Sequence, residues 1–232
     1  MSRRRRVSGG GLGVGQDLML WLDASDTSTI TESSGSVSNW ADKSSNGYNF
    51  PQSTGGLQPQ TEVDTQNSLN VLTFNGSKEL NWDAGFVDTF NGSSTMFVVS
   101  KRDVDSGSQG LMSSENNKLV LFYAAPAGEI DFRSNNAVTA SVTATSVTTT
   151  SYNVIRSRRS GTTQAVAVNG GAEFTNTNGS DITSVTDGLI GATDGGVNKL
   201  TGKIAEIIVY DRSLTATEIT NVENYLSNKW GI

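Results

Sequence analysis

The sequence predicts an all-β protein closed by one short α-helix. Three observations predict it. From Leu18 onward, short runs of Val, Ile, Phe and Tyr alternate with turn-rich stretches. Asn-Gly pairs recur at Asn46, Asn75, Asn91, Asn169 and Asn178, and such pairs tolerate positive φ and favour tight reversals. A strand and then a well-marked helix end the chain between Gly202 and Ile232.

Taken in order, the clearest strands are Leu18 to Leu22, Asn70 to Phe74, Thr95 to Ser100, Leu119 to Ala124 and Glu129 to Arg133. Tyr152 to Arg156, Gln164 to Val168, Gly188 to Gly191 and Lys203 to Tyr210 follow. Met96-Phe97-Val98-Val99 lacks alternation, which places it in the middle of a sandwich with both faces buried. Ala137 to Ser151 is rich in Ser and Thr. Its apolar residues keep strand phase to Ala144 and lose it at Val147, so one or two strands with a bulge or turn are expected. Ile204, Ala205, Ile207, Ile208 and Val209 form a nearly unbroken apolar run, as a strand buried on both faces requires.

The helix that follows is signalled at its start. Thr215 is a good N-cap, Glu218 closes a capping box, and Leu214 and Ile219 are spaced as a hydrophobic staple. Ile219, Val222, Leu226 and Trp230 make one apolar stripe at helical spacing.

The chain has 232 residues with no Cys and no His. That removes thiol nucleophiles, disulfides, Ser-His-Asp triads and ordinary zinc sites. Net charge is -6, so the body is no general nucleic-acid binder and no sequence-specific nucleic-acid partner is expected. Arg3, Arg4, Arg5 and Arg6 are consecutive. Without them the 17 basic residues fall to 13 against 23 acidic ones. Residues 1–15 therefore read as a basic, Gly-rich arm on an acidic domain at 16–232, and the arginines either as part of a solvated tail or as a docking element for an acidic surface or a neighbouring subunit. No apolar run is long enough for a membrane helix, and the stretch after the arginines is a poor signal peptide.

Several segments carry a resemblance. GKIAEIIVYDRSLTATE at 202–218 resembles the closing signature of laminin-G-like, concanavalin-A-like jelly-roll domains. Leu20 to Asp26 resembles their opening strand, and Trp40 to Gly47 their W-x-D-x-S-G-N-G loop with Ser45 in place of Gly. Leu72 to Ser77 resembles the F-x-G-S segment, and Val168-Asn169-Gly170 the V-N-G hairpin. The resemblance covers the chain from about residue 18 and implies a two-sheet antiparallel jelly-roll sandwich. It also implies that the first and last strands are neighbours, so that the arm leaves near the helix. Function is left open, because this fold hosts lectins, glycosidases, adhesion modules and virion proteins.

Four candidate chemistries follow. Glu129-Ile130-Asp131-Phe132-Arg133-Ser134 resembles the start of the E-x-D-x-x-E strand of laminarinase-type glucanases, but Ser134 stands where the acid/base Glu belongs. A retaining mechanism needs both carboxylates, so an ordinary strand with Ile130 and Phe132 inward is the stronger reading and no enzyme is expected. Trp40, Tyr48, Trp82 and Tyr123 are candidates for a sugar-stacking platform, set against service in the core. Calcium is plausible in such a family, and Asp187, Asp194 and the Asp103/Asp105 pair lie in suitable loops. They lack a spaced ligand motif, and no cofactor is expected. Arg156 and Arg158 share a strand face and would meet an anionic partner or balance nearby carboxylates.

The leading functional expectation is a non-enzymatic virion accessory protein of a tailed phage. The jelly roll would be displayed on the capsid or tail. The arm would anchor it to virion proteins such as the major capsid protein, in a homo-oligomeric assembly. The alternative is a carbohydrate-binding, lectin-like module at a cell surface or outside the cell, reaching host-surface glycans. A β-glucan hydrolase ranks third.

Overall fold

A computed structural model describes residues 11–15, 17–87, 93–125, 128–134, 142–145, 147, 150–177 and 185–232. The strands in chain order are β1 (Leu18–Asp23), β2 (Ile30–Ser33), β3 (Ser36–Ala41), β4 (Asn49–Pro51), β5 (Thr65–Gln66), β6 (Leu69–Asn70), β7 (Leu72–Asn75) and β8 (Leu80–Asn81). A one-turn helix α1 (Ala84–Val87) precedes β9 (Ser94–Arg102), β10 (Gln109–Ser114), β11 (Leu119–Tyr123), β12 (Ile130–Ser134) and β13 (Val142–Ala144). Then come β14 (Asn153–Ser160), β15 (Thr163–Val168), β16 (Phe174–Thr177), β17 (Gly188–Ile190), β18 (Thr201–Tyr210) and helix α2 (Ala216–Trp230).

Two antiparallel sheets form the expected jelly-roll sandwich. One runs β1-β18-β9-β14-β15-β16, with β7 beside the first half of β18 and β1 beside its second half. The other runs β13-β12-β11-β10-β17-β8. A small β2-β3-β4 sheet is bridged to β7 through Gln60, and its Val37, Trp40 and Phe50 pack into the same core. The strands expected from sequence do not include β2 to β5, β8, β10 or β16, which are short or rich in Ser, Asn, Gly and Thr, so that little alternation shows. Of the 137–151 region, Val142–Ala144 pairs with β12, and 137–141, 146 and 148–149 lie outside the described residues.

The core divides at the larger sheet. Met96 and Val98 of β9 point into the sandwich with Ile204, Ile207 and Val209 of β18, against Leu121 and Phe132 of the opposite sheet. Phe97, Val99, Ala205, Ile208 and Tyr210 point the other way, under α2. The register of β18 against β9 slips between Ile204 and Glu206. A bulge inserts one residue and reverses the alternation beyond it. That is why Ile204 and Ile207, three apart, both face inward.

Helix α2 covers the outer face, as its stripe predicts. Val222, Leu226 and Trp230 are buried there, with Ile219 partly so. Each buried side chain of this size is worth about 1.5–3 kcal/mol. Thr215 caps the helix and Glu218 accepts in return from the Thr215 backbone N–H at 2.9 Å. Arg212 also grips Glu218, at 2.6 and 2.8 Å, and with the Thr215 N–H holds its carboxyl down to about 2. Thr215→Ala should cost about 1 kcal/mol in urea unfolding.

The packed body reaches further N-terminally than the expected boundary at 16. Leu12 and Val14 are buried in the outer cluster, and the Tyr210 hydroxyl donates to the Val14 carbonyl at 3.1 Å. Arg3, Arg4, Arg5 and Arg6 lie outside the described residues.

Beneath α2 lies a buried polar cluster. Glu206 and Asp23 are register partners on β18 and β1, 0% and 3% exposed. Glu206 accepts from Trp21 Nε1 at 2.6 Å, Trp230 Nε1 at 2.7 Å, Tyr225 at 3.1 Å and Lys229 at 2.8 Å. Lys229 also reaches Asp23 at 2.7 Å, and Lys43 bridges Asp23 and Asp26 at 2.7 and 2.9 Å. Burial alone would raise the Asp23 carboxyl. Hydrogen bonds from Lys229, Lys43 and Ser25 outweigh it and hold the group below the usual carboxylate range.

Candidate functional site

A groove of about 320 Å³ opens where β8, β17 and the end of β10 meet the 194–196 turn. Asn81 of β8 pairs with Leu189 of β17, and Ser113 of β10 pairs with Leu189 from the other side. Inward-facing Ile190 anchors this short strand in the core, while half-buried Leu189 lines the groove. Trp82 follows β8, donates its backbone N–H to the Gly188 carbonyl at 2.8 Å and packs edge-on against Phe86 at 5.2 Å. Gly188 is required here: a Cβ would stand 2.3 Å from the Trp82 ring and 2.6 Å from the Ser113 carbonyl. Trp82 is therefore held as a groove wall with only 6% of its surface exposed.

Polar groups complete the lining. Glu115 accepts from the Thr186 N–H at 3.2 Å, from the Thr186 hydroxyl and from Lys118 at 3.1 Å. These bonds hold its carboxyl below the usual range. Asp194 accepts from the Asn116 N–H at 2.9 Å, and Glu79 is paired with Lys199 at 2.6 Å. Burial pushes the Asp187 carboxyl up, and the negative charges of Glu115 and Asp194 push it further. The inner hydroxyls are committed within the protein: Ser113 donates to Ala192 O at 3.0 Å, and Ser114 accepts from Leu119 N–H at 2.8 Å. Asp187, Asp194 and Asn81 are left to offer acceptors to a ligand.

The structure disperses the four expected glycan-stacking aromatics. Trp40 is 0% exposed, in register with Phe50 inside the sandwich, and Tyr123 is 0% exposed with its hydroxyl 2.9 Å from Ser100 Oγ. Both belong to the core, because each sits on an inward-facing strand position. Burial also pushes the Tyr123 hydroxyl pKa up. Tyr48 is half-buried and edge-on to Phe86 at 5.5 Å, outside the groove lining. Trp82 alone of the four lines the groove. The loop from Trp40 to Gly47 is a strap for β1: Asp42 accepts from the Trp21 N–H at 2.9 Å, and Asn46 Nδ2 donates to Leu18 O and Met19 O at 3.1 and 2.8 Å.

The glucanase-like segment is an ordinary strand. Ile130 and Phe132 face the core, and Glu129 precedes β12. On the outer face Asp131 is paired with Arg133 at 2.8 Å; its burial raises the carboxyl against that pairing. Ser134 is buried and donates to Gln164 at 2.9 Å. Arg156 and Arg158 balance carboxylates rather than stand free: Arg158 pairs with Glu173, and Arg156 with Glu173 and Glu223. Asp103 pairs with Lys203 at 2.5 Å and Asp105 with Arg102. Among the described residues no three acidic side chains converge in a way that could hold a metal ion. Asp187 and Asp194, read in sequence as separate loop residues, are brought into one groove with Glu115. The common signal was acidic residues beside glycines in polar loops.

Comparison with known proteins gives the fold its context. Domain 4 of AbnA, an extracellular arabinanase of Geobacillus stearothermophilus solved with arabinotriose, superposes with a TM-score of 0.66 at 12% identity, covering 89% of this chain and 98% of that one. A Trypanosoma rangeli sialidase in complex with sialic acid gives 0.62 at 15% identity, covering 92% of this chain. The chain spans 33% of that sialidase's length. The binding domain of botulinum neurotoxin serotype D/C gives 0.63 at 9% identity, covering 90% of this chain and 52% of that one. At such identities the likeness is one of fold. No curated protein matches the sequence. The sequence profile of the concanavalin A-like lectin/glucanases superfamily matches residues 75–220, more than half of the chain, from β7 into α2, and the chain belongs to that superfamily.

Proposed function

We propose that this protein is a carbohydrate-binding module and that the groove beside Trp82 is its sugar site. The observation that carries this reading is the groove itself. It is a concave space of about 320 Å³ with an aromatic edge, an apolar Leu189 and acceptors at Asn81, Asp187 and Asp194. Sugar hydroxyls donate to such acceptors while their C–H faces lie on apolar surface, and binding sites generally combine these two features. The volume suits a short segment of a glycan. The likeness to an arabinanase domain solved with arabinotriose supports the same reading at the level of fold.

The test is a glycan array followed by titration of the hits against Leu189→Arg. Leu189 is half-buried on the short strand β17, and its outward position lets a long side chain fill the groove without entering the core. The variant should keep the thermal midpoint and lose about tenfold or more in affinity, ~1.4 kcal/mol. An array with no hits, or hits that Leu189→Arg binds equally well, would reject the groove as the site.

A further inference from the structure

The charges of the groove are unequally matched. Glu79 has Lys199 and Glu115 has Lys118. Asp187 and Asp194 form no ion pair among the described residues. Asp194 receives one backbone N–H, from Asn116 at 2.9 Å. Asp187 stands at the start of β17, beside the Gly188 that seats Trp82 and the Leu189 that lines the groove. Four carboxylates thus line a space with two lysine partners between them.

A ligand entering this space meets a negative field. A carboxylate-bearing sugar would add like charge to it, and like-charge juxtaposition is strongly disfavoured. A neutral sugar would leave the Asp187 and Asp194 charges without a counter-charge. A protonated amine would supply one while its sugar ring used the Trp82 edge and Leu189.

On the reading of the groove as a sugar site, we infer that the glycan it accepts is an amino sugar carrying a protonated amine, rather than a sialic or uronic acid. Asp187 is exposed and Asp194 half-buried at the rim, so an amine there meets their field through partly screened contacts that salt weakens. The two carboxylates act together, Asp187 as the unpaired acceptor and Asp194 as the second negative charge at the rim.

The experiment is calorimetric titration of the full chain with three short oligosaccharides of equal length, built from glucosamine, N-acetylglucosamine and glucuronic acid. Spermidine serves as a cation without a sugar. The glucosamine oligomer should bind on the order of tenfold tighter than its N-acetylated counterpart, as a charge-assisted hydrogen bond allows. The glucuronate oligomer should not bind. In Asp187→Asn the ratio of free amine to N-acetyl should fall toward one with the thermal midpoint unchanged, and Asp194→Asn should lower it in part. High salt should weaken the amine oligomer more than the N-acetylated one.

Equal affinity for amine and N-acetyl forms, or preference for the uronate, would overturn the inference and leave the sugar site standing. Spermidine binding as tightly as the glucosamine oligomer, with no binding of the N-acetylated one, would mark a bare cation site and overturn both. Binding of none of the sugars would also overturn both.

Discussion

Lys229→Met is expected to destabilise the protein by about 3–5 kcal/mol, the range seen when one partner of a buried ion pair is removed. Lys229 sits on α2 between two carboxylates of the sheet below, 2.8 Å from Glu206 and 2.7 Å from Asp23. Glu206 is fully buried, and three other donors from Trp21, Trp230 and Tyr225 orient it without neutralising it. Removing the ammonium leaves two facing buried carboxylates with Lys43 as their remaining cation, on the Asp23 side. The loss should depend on pH. In the native protein the Asp23 carboxyl is depressed, so its contribution is full above its unfolded pKa and is lost as pH falls through the folded value. Burial raises Glu206 despite Lys229, so its charged form costs more as pH rises through its folded pKa. Without Lys229 both carboxyls shift upward. The penalty is then largest near neutral pH and shrinks as pH falls through the raised values, where protonation relieves the repulsion. Urea unfolding at neutral and at acidic pH reads this directly. Glu206→Gln in the Lys229→Met background should recover part of the loss; no recovery would show that packing, not charge, holds α2 to the sheet.

Gly202→Ala is expected to cost at least about 3 kcal/mol, the upper range for overpacking a close-packed site. Gly202 lies in β18 opposite Arg102 and Phe74, and a Cβ there would stand 2.2 Å from the Lys101 carbonyl and 2.9 Å from Arg102 Cα. Both neighbours are backbone of the central strand β9, so no side chain can swing aside. Gly188→Ala should also destabilise, by about 1–3 kcal/mol, because the Trp82 ring must leave its seat. It should weaken sugar binding as well. The control is Gly55→Ala, where a Cβ meets nothing within 4 Å and a change within about 0.5 kcal/mol is expected. Equal thermal midpoints for Gly202→Ala and Gly55→Ala would contradict the tight register of β18 on β9.

The parts of the fold that sequence made legible are those where local chemistry and tertiary packing agree. β9 and β18 read as doubly buried strands because their apolar runs do not alternate, and both are central in the larger sheet. The capping box of Thr215 and Glu218 and the stripe through Trp230 located α2 within a residue. β2 to β4 were hidden, because a small half-exposed sheet of polar residues carries little apolar signal. The candidate site was less legible. Whether an aromatic is core or platform depends on the face its strand turns inward, and that face is fixed by pairing partners far away in sequence. Trp40 and Tyr123 went to the core for this reason. The groove depends on Glu79, Glu115, Asp187 and Asp194, which come from separate segments, so no local spacing announces it.

The most direct test of the sugar site is to map the backbone amides that move when a bound glycan from the array is titrated into isotopically labelled protein. Shifts centred on Asn81, Trp82, Asp187 to Leu189 and Asp194 to Gly196, and absent in Leu189→Arg, are the predicted result. Shifts centred on another face of the sandwich, with these amides unmoved, would contradict the account.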